Sequence, residues 1–134
     1  MTQQAIFNKS LKGLSKQNFR LSKSLKEGAR CNYLSANGDR CAVGVLLTEE
    51  ELKKVTGKSL NDDAVKDLVE ALKIKRFSRH IDLLERLQSW HDCYLTHQGG
   101  ISVYAFHRLE YLASYYLLKI PNYIHKLIIK ENNE

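Results

Sequence analysis

Apolar residues recur every three or four positions over most of the chain, which predicts a mainly α-helical protein. The first such segment spans residues 4–27, and Gly28 is a natural stop for it. Gly13 and four serines lower its helix propensity, so one long helix and two shorter helices meeting near residues 16–19 are both consistent with the pattern. The apolar stripe of this segment is interrupted once, by Asn18, and consists otherwise of Phe7, Leu11, Leu14, Leu21 and Leu25.

Further helices are predicted along the remainder of the chain. Thr48 and Glu51 have the spacing of a capping box, which predicts a short helix that ends before Gly57. Asn61 or Asp62 is expected to cap the next helix. The later predicted helices cover about 64–72, 78–95 and 102–119, followed by a short helical segment after Pro121.

The 102–119 helix is apolar over much of its circumference, and Tyr104, Tyr111 and Tyr115 flank its apolar side. Such a helix is either central to the domain or shared with a partner. The terminal segment is also rich in apolar residues at helical spacing. We therefore expect the C-terminal helices to mediate a homo-oligomer, such as a dimer.

A turn interrupts the helical pattern at Asn37-Gly38, which is a strong hairpin signal. The predicted arms are Tyr33-Leu34 and Arg40-Cys41. Residues 42–47 then form an apolar run in which Gly44 predicts a close backbone approach.

The predicted fold is mainly α, a compact helical domain of about five helices with one short β-hairpin near residues 33–41. A chain of 134 residues is expected to form a single domain, 1–134. Its parts are a basic N-terminal helix at 4–27, a hairpin and joint at 31–47, a helical core at 48–118 and a C-terminal helical tail at 120–130.

Composition places the chain among ordinary globular proteins, with 43% hydrophobic and 27% charged residues. It contains neither a signal-peptide pattern nor a run of about 18 apolar residues, so we expect a cytoplasmic protein without membrane contact. Three cysteines without an export signal predict reduced thiols.

The positive charge is concentrated at the N-terminus. Residues 1–30 contain seven basic side chains and one acidic side chain, whereas the remaining residues contain 14 of each sign. The basic residues of the first segment recur every three or four positions and so form a stripe along the predicted helix. This basic stripe is either a solvated face or a surface for an acidic protein or a nucleic acid. The candidate partner-binding residues are Lys9, Lys12, Lys16, Arg20, Lys23, Lys26 and Arg30.

A thiol site is conceivable if Cys41 is the nucleophile and His91 the base. Asp92 is not expected to orient His91, because neighbouring helical residues point about 100° apart. A structural alternative is that His91 or Asp92 connects its helix to the hairpin. The nine residues between Cys31 and Cys41 do not fit a zinc knuckle, and phosphate-binding loops are absent, so neither a metal nor a cofactor is predicted.

Two motifs give the chain a resemblance to a known group. One contains Cys31, Tyr33, Gly38 and the run Cys41-Ala-Val-Gly44-x-Leu, and the other is Leu-Gln-x-x-His91-Asp92. Over roughly residues 5–118 the chain resembles a family of short uncharacterised bacterial proteins found in phages, integron cassettes and other mobile DNA. The resemblance implies mainly α-helical structure and an origin in mobile DNA, and it implies no enzyme activity.

Together these patterns predict a non-enzymatic binding protein encoded by mobile DNA that self-associates. Two alternatives remain open. The first is a nucleic-acid-binding accessory protein that uses the basic N-terminal helix, and the second is a small thiol-dependent or hydrolytic enzyme centred on Cys41 and His91.

Overall fold

The computed structural model describes residues 1–22, 32–61 and 63–129. Within these ranges the chain forms six α-helices, so the predicted all-α class is confirmed. One-turn 3-10 helices at Gly44–Leu46 and Lys75–Phe77 join some of them. The helices are α1 Gln3–Lys16, α2 Glu49–Gly57, α3 Val65–Leu72, α4 Ile81–Tyr94, α5 Val103–Tyr115 and α6 Asn122–His125.

The predicted β-hairpin at residues 33–41 is wrong, since no strand occurs in the described part of the chain. The Asn37-Gly38 turn does form, and Gly38 adopts a φ of +91°. A hydrogen bond from the Ser35 N–H to the Asp39 carbonyl closes the turn at 2.8 Å. The arms on either side do not continue this pairing.

Side-chain carboxamides replace the missing strand partners. The Gln17 side chain bonds both backbone groups of Arg40, accepting from its N–H at 2.9 Å and donating to its carbonyl at 2.5 Å. The Asn61 side chain does the same for Leu34, accepting at 3.0 Å and donating at 2.9 Å. Because a carboxamide satisfies the backbone hydrogen-bonding groups of one residue in each arm, the arms need not pair with each other.

Contrary to the prediction, helix α3 does not begin with Asn61 as its cap. The cap residue of this helix is Ala64, which makes no side-chain capping bond. Asn61 is occupied by the backbone of Leu34 instead. The alternative cap, Asp62, lies outside the described residues.

Helix α1 is shorter than the predicted segment 4–27 and ends at Lys16. Asn18 and Phe19 both adopt left-handed backbone conformations, with φ values of 53° and 54°, which turn the chain away from the helix axis. Phe19 is buried after this turn. Residues 23–31 lie outside the described ranges.

The buried joint, residues 42–47, packs beneath α1. Gly13 makes this contact possible, since a Cβ there would lie 2.5 Å from the Cβ of Val45. Ser10 of α1 also donates to the Ala42 carbonyl at 2.7 Å. On the other side, Gly44 packs against the backbone of Tyr33. The close backbone approach predicted at Gly44 is therefore present.

The predicted capping box of α2 forms as expected, with Thr48 and Glu51 exchanging both hydrogen bonds. Glu51 additionally accepts from the guanidinium of Arg76 at 2.5 and 2.8 Å, which joins α2 to the Lys75–Phe77 turn. The hydrogen bonds from Arg76 lower the pKa of Glu51. One carboxylate thus both starts a helix and attaches it to the next connection.

The C-terminal segment packs on its own domain. Its helix, α6, has four residues rather than extending over the predicted 120–130, and residue 130 lies outside the described range. Ile124 is fully buried, and the His125 ring lies 4.9 Å from that of Phe106. Ile128 forms an isolated parallel bridge with Ile101. Among the described helices, none combines the length and apolar character required to cross a membrane.

Replacement of Gly44 by alanine should destabilise the fold by about 3 kcal/mol or more. The added Cβ would lie 2.0 Å from the Tyr33 carbonyl oxygen, so one of two buried backbone segments would have to move. Chemical denaturation measures the effect. Gly57→Ala is the matched control, because no atom lies within 4 Å of the Cβ position and a helical alanine is favourable. Equal stability of both variants would contradict the proposed packing at Gly44.

Candidate functional site

Cys41 lies in the core rather than at a reactive surface. Its side chain is fully buried, and its Sγ accepts a hydrogen bond from the Gly44 N–H at 3.3 Å. A buried thiol in apolar surroundings is a poor nucleophile, because the thiolate is not solvated. This geometry does not favour the predicted thiol chemistry.

Both ring nitrogens of His91 are engaged. Nε2 accepts from the Ser22 N–H at 3.1 Å, and Nδ1 lies 2.9 Å from Asp92 Oδ1. Since Nε2 must accept, the proton resides on Nδ1 and is donated to the carboxylate. The expectation that Asp92 does not orient His91 is therefore wrong. The 100° separation applies to the Cα–Cβ directions, and side-chain rotation brings the two groups together.

The hydrogen bond between the Ser22 N–H and His91 Nε2 attaches α4 to a segment that is distant in sequence. The Ser22 side chain is buried, and its hydroxyl is within hydrogen-bonding distance of the Asn32 and Asp39 carbonyl oxygens, at 2.8 and 3.1 Å. His91 thus connects α4 through Ser22 to the Asn37-Gly38 turn. Nε2 is used in this connection, and Nδ1 is used in the hydrogen bond to Asp92 of the same helix.

Other residues of the two sequence motifs have structural positions as well. Tyr33 is buried, and its hydroxyl donates to the Asp63 carbonyl at 2.6 Å. Gln88 accepts from the Val43 N–H at 3.2 Å, which holds the buried joint to α4. Cys31 lies outside the described residues. The motif residues that the structure describes therefore hold the helices together.

The predicted basic residues that the structure describes fall into two groups. Lys9, Lys12 and Lys16 are exposed on α1. Arg20 instead forms a two-bond ion pair with the nearly buried Asp39, at 2.9 and 3.0 Å, and these bonds raise the pKa of Arg20. The remaining predicted members lie outside the described residues, and they are Lys23, Lys26 and Arg30.

A different surface combines exposed aromatic rings with arginines. It is a cleft between α4 and α5, which we call the tyrosine–arginine cleft. Tyr111 and Tyr115 on its rim are 65% and 60% exposed, and the adjoining Tyr104 is 64% exposed. The residues lining the cleft are Arg86, Ser89, Trp90 and Tyr94 from α4, and Arg108, Tyr111, Leu112 and Tyr115 from α5.

Each arginine of the cleft stacks on a ring of the opposite helix. The Arg86 guanidinium on α4 lies 4.5 Å from the ring centre of Tyr115 on α5. The Arg108 guanidinium on α5 lies 5.4 Å from the ring centres of both Tyr94 and Tyr111. These pairings show that the helices run antiparallel. They also hold the arginines in place, since a cation over a ring within about 6 Å is attracted to it.

The cleft has a positive lining. Among the described residues that line it, none carries a carboxylate. Asp82, one turn before Arg86, approaches the Arg86 guanidinium only to 3.7 Å, and it also accepts from the Tyr116 hydroxyl. Within the described ranges Arg108 makes no salt bridge, so its charge is available to a partner.

Tyr116 lies beside the cleft as a structural residue. Burial, and secondly the hydrogen bond that it donates to Asp82, raise the pKa of Tyr116. Its phenol therefore remains protonated and connects the end of α5 to the start of α4.

Sequence reasoning identified the tyrosines of α5 but missed Arg86 and Arg108. A signal was present, because Tyr104, Arg108, Tyr111 and Tyr115 fall at positions i, i+4, i+7 and i+11 of one helix face. The contribution of α4 required the pairing of the two helices, which periodicity does not provide.

The described residues contain no cluster of three or more histidine, cysteine, aspartate or glutamate side chains suited to a metal ion. Comparison of the chain with models of known families, with curated proteins and with solved structures gave no match. The function must therefore be inferred from the geometry of the chain itself.

Replacement of His91 by alanine should lower the free energy of unfolding by roughly 2–4 kcal/mol, because it leaves the buried Ser22 N–H unpaired and creates a cavity. Asp92→Asn should cost less than about 1 kcal/mol, because the amide oxygen still accepts from Nδ1. Thermal and chemical denaturation measure both effects. Exposed His107→Ala is the control, with an expected change within about 0.5 kcal/mol. An unchanged denaturation midpoint for His91→Ala would contradict the proposed connection of α4 to the Asn37-Gly38 turn.

Proposed function

We propose that this protein is a non-enzymatic binding protein and that the tyrosine–arginine cleft is the surface that binds an anionic partner. The observation that carries the proposal is the exposure of three tyrosines beside two arginines on one helix pair. Tyrosine and arginine are enriched at binding hot spots because they combine large contact areas with polar groups.

The charge of the cleft supports an anionic partner. Arginine binds carboxylates and phosphates through paired N–H donors, and its stacking on Tyr115 or Tyr94 restricts its rotamers before binding. The internal placement of Cys41 and His91 supports binding rather than catalysis. An origin in mobile DNA is part of this proposal and is supported by the resemblance described above.

The exposed lysines of α1 offer an alternative basic surface for nucleic acid. Lys9, Lys12 and Lys16 present three positive charges, and the one aromatic residue of α1, Phe7, is buried. Such a stripe increases association rates through long-range attraction. It lacks the ring surfaces of the cleft, so we assign it the weaker contribution.

The proposal predicts that Arg86→Ala combined with Arg108→Ala weakens binding of an anionic probe at least about tenfold, since a charged hydrogen bond contributes about 1.5–3 kcal/mol. The probes are a short single-stranded oligonucleotide and a polyglutamate peptide, each labelled for fluorescence anisotropy at low salt. Binding of at least one probe is expected.

The matched control is Lys53→Ala with Lys66→Ala, which removes the same charge from exposed positions on α2 and α3. It should change affinity by less than about twofold. A triple reversal of Lys9, Lys12 and Lys16 to glutamate tests the basic helix. Equal losses in the cleft and control variants, or no binding of either probe, would contradict the proposal.

Self-association is a second proposal, favoured by exposed aliphatic residues near the C-terminus. Leu117 is 92% exposed and adopts a left-handed backbone conformation with φ 57°, which is unfavourable for leucine. Leu127 and Ile129 are also exposed. An exposed leucine held in this conformation suits insertion into a second copy of the chain.

Leu117→Gly should shift such a dimer towards monomer while preserving or increasing the stability of the fold, because glycine adopts positive φ readily. Sedimentation velocity over a range of concentrations measures the shift, and thermal denaturation measures stability. A wild-type protein that is monomeric at all concentrations would rule out this second proposal.

A further inference from the structure

We infer that the anionic partner of the tyrosine–arginine cleft is a single-stranded nucleic acid, with one base seated in the cleft and phosphates bound by Arg86 and Arg108. This inference rests on the proposed function and specifies its ligand class. It depends on the size of the cleft, the rings around it and the positions of the two arginines.

The size of the cleft fits one flat ring. Its volume is about 150 Å³. A cavity of about this volume accommodates a single benzene molecule. The cleft is too small for a helix of a partner protein, and a base paired within a duplex could not enter it. An unpaired base can enter it edge-on or face-on.

The lining of the cleft suits base stacking. Four of its eight residues are aromatic, namely Trp90, Tyr94, Tyr111 and Tyr115. Trp90 is nearly buried, and its indole N–H already donates to the Ala105 carbonyl at 2.9 Å. It therefore forms the apolar floor of the cleft, and the exposed ring surface comes from Tyr111 and Tyr115. Single-stranded nucleic acids gain affinity by stacking bases on such rings, with little sequence preference.

The arginines lie towards opposite ends of the cleft. Arg86 stacks on Tyr115 near the end of α5, whereas Arg108 stacks between Tyr94 and Tyr111, one to two turns earlier on α5. Phosphates on either side of a seated base can therefore each meet one guanidinium. An acidic peptide backbone would use the same charges but would place no base against the exposed rings of Tyr111 and Tyr115.

The test measures binding of a short oligothymidylate, an abasic oligonucleotide of equal length, its duplex with oligodeoxyadenylate, and polyglutamate. We expect the oligothymidylate to bind at least about fivefold more tightly than the abasic strand, which has the same phosphates without the bases. Trp90 fluorescence should be quenched by the oligothymidylate but not by polyglutamate.

Substitutions distinguish the contribution of base stacking to the affinity from the contribution of charge. Tyr111→Leu should weaken oligothymidylate binding at least about fivefold and abasic binding by less than about twofold, whereas Tyr111→Phe should retain both. Tyr123→Leu, at a partly exposed tyrosine outside the cleft, is the matched control. Arg108→Ala should reduce the slope of log K against log salt by about 0.7, the value for one phosphate contact on a single strand.

The outcomes distinguish this inference from the proposed function. If the abasic strand or polyglutamate binds as tightly as the oligothymidylate, or the duplex binds more tightly, the nucleic-acid inference is overturned while an anion-binding cleft stands. If no probe binds, the proposed function fails as well. Tighter oligothymidylate binding that Tyr111→Leu reduces and Tyr123→Leu does not would establish the inference.

Discussion

The fold depends on side chains that satisfy the backbone of its non-helical segments. Buried N–H and C=O groups require partners, and the chain lacks strands in its described ranges to supply them. Carboxamides supply them instead, with Gln17 bonding both groups of Arg40 and Asn61 both groups of Leu34. Gln4 repeats the arrangement on Lys119, with both bonds at 2.9 Å. Each of these side chains joins segments that are distant in sequence.

Periodicity and capping signals were sufficient to predict the helical class, the α2 capping box and the close approach at Gly44, because these depend on local sequence. The hairpin was mispredicted because a turn signal does not reveal what the flanking backbone bonds to. Gln17 and Asn61 compete with strand pairing, and their contribution becomes visible only in three dimensions. For the same reason, the sequence indicated the tyrosines of α5 but not the arginine that α4 adds to them.

Cys41 and His91, the two candidate catalytic residues of the sequence, have structural roles. Cys41 and His91 are fully buried, and Cys41 Sγ and His91 Nε2 each accept a hydrogen bond from a backbone N–H. The outward-facing side of α4 and α5, by contrast, exposes tyrosine rings and arginine charge. Buried polar residues therefore maintain the shape of this domain, whereas the exposed rings and charges form the surface for which binding is proposed.

The antiparallel pairing of α4 and α5 has an evolutionary consequence. Leu87 and Leu109 in these two helices are fully buried, whereas Arg108 and the exposed tyrosines on the opposite side contribute little to the core. Substitutions on the exposed side therefore have a small effect on stability. With this division between inner and outer positions, the chain retains one scaffold while the chemistry of its outer surface is free to vary.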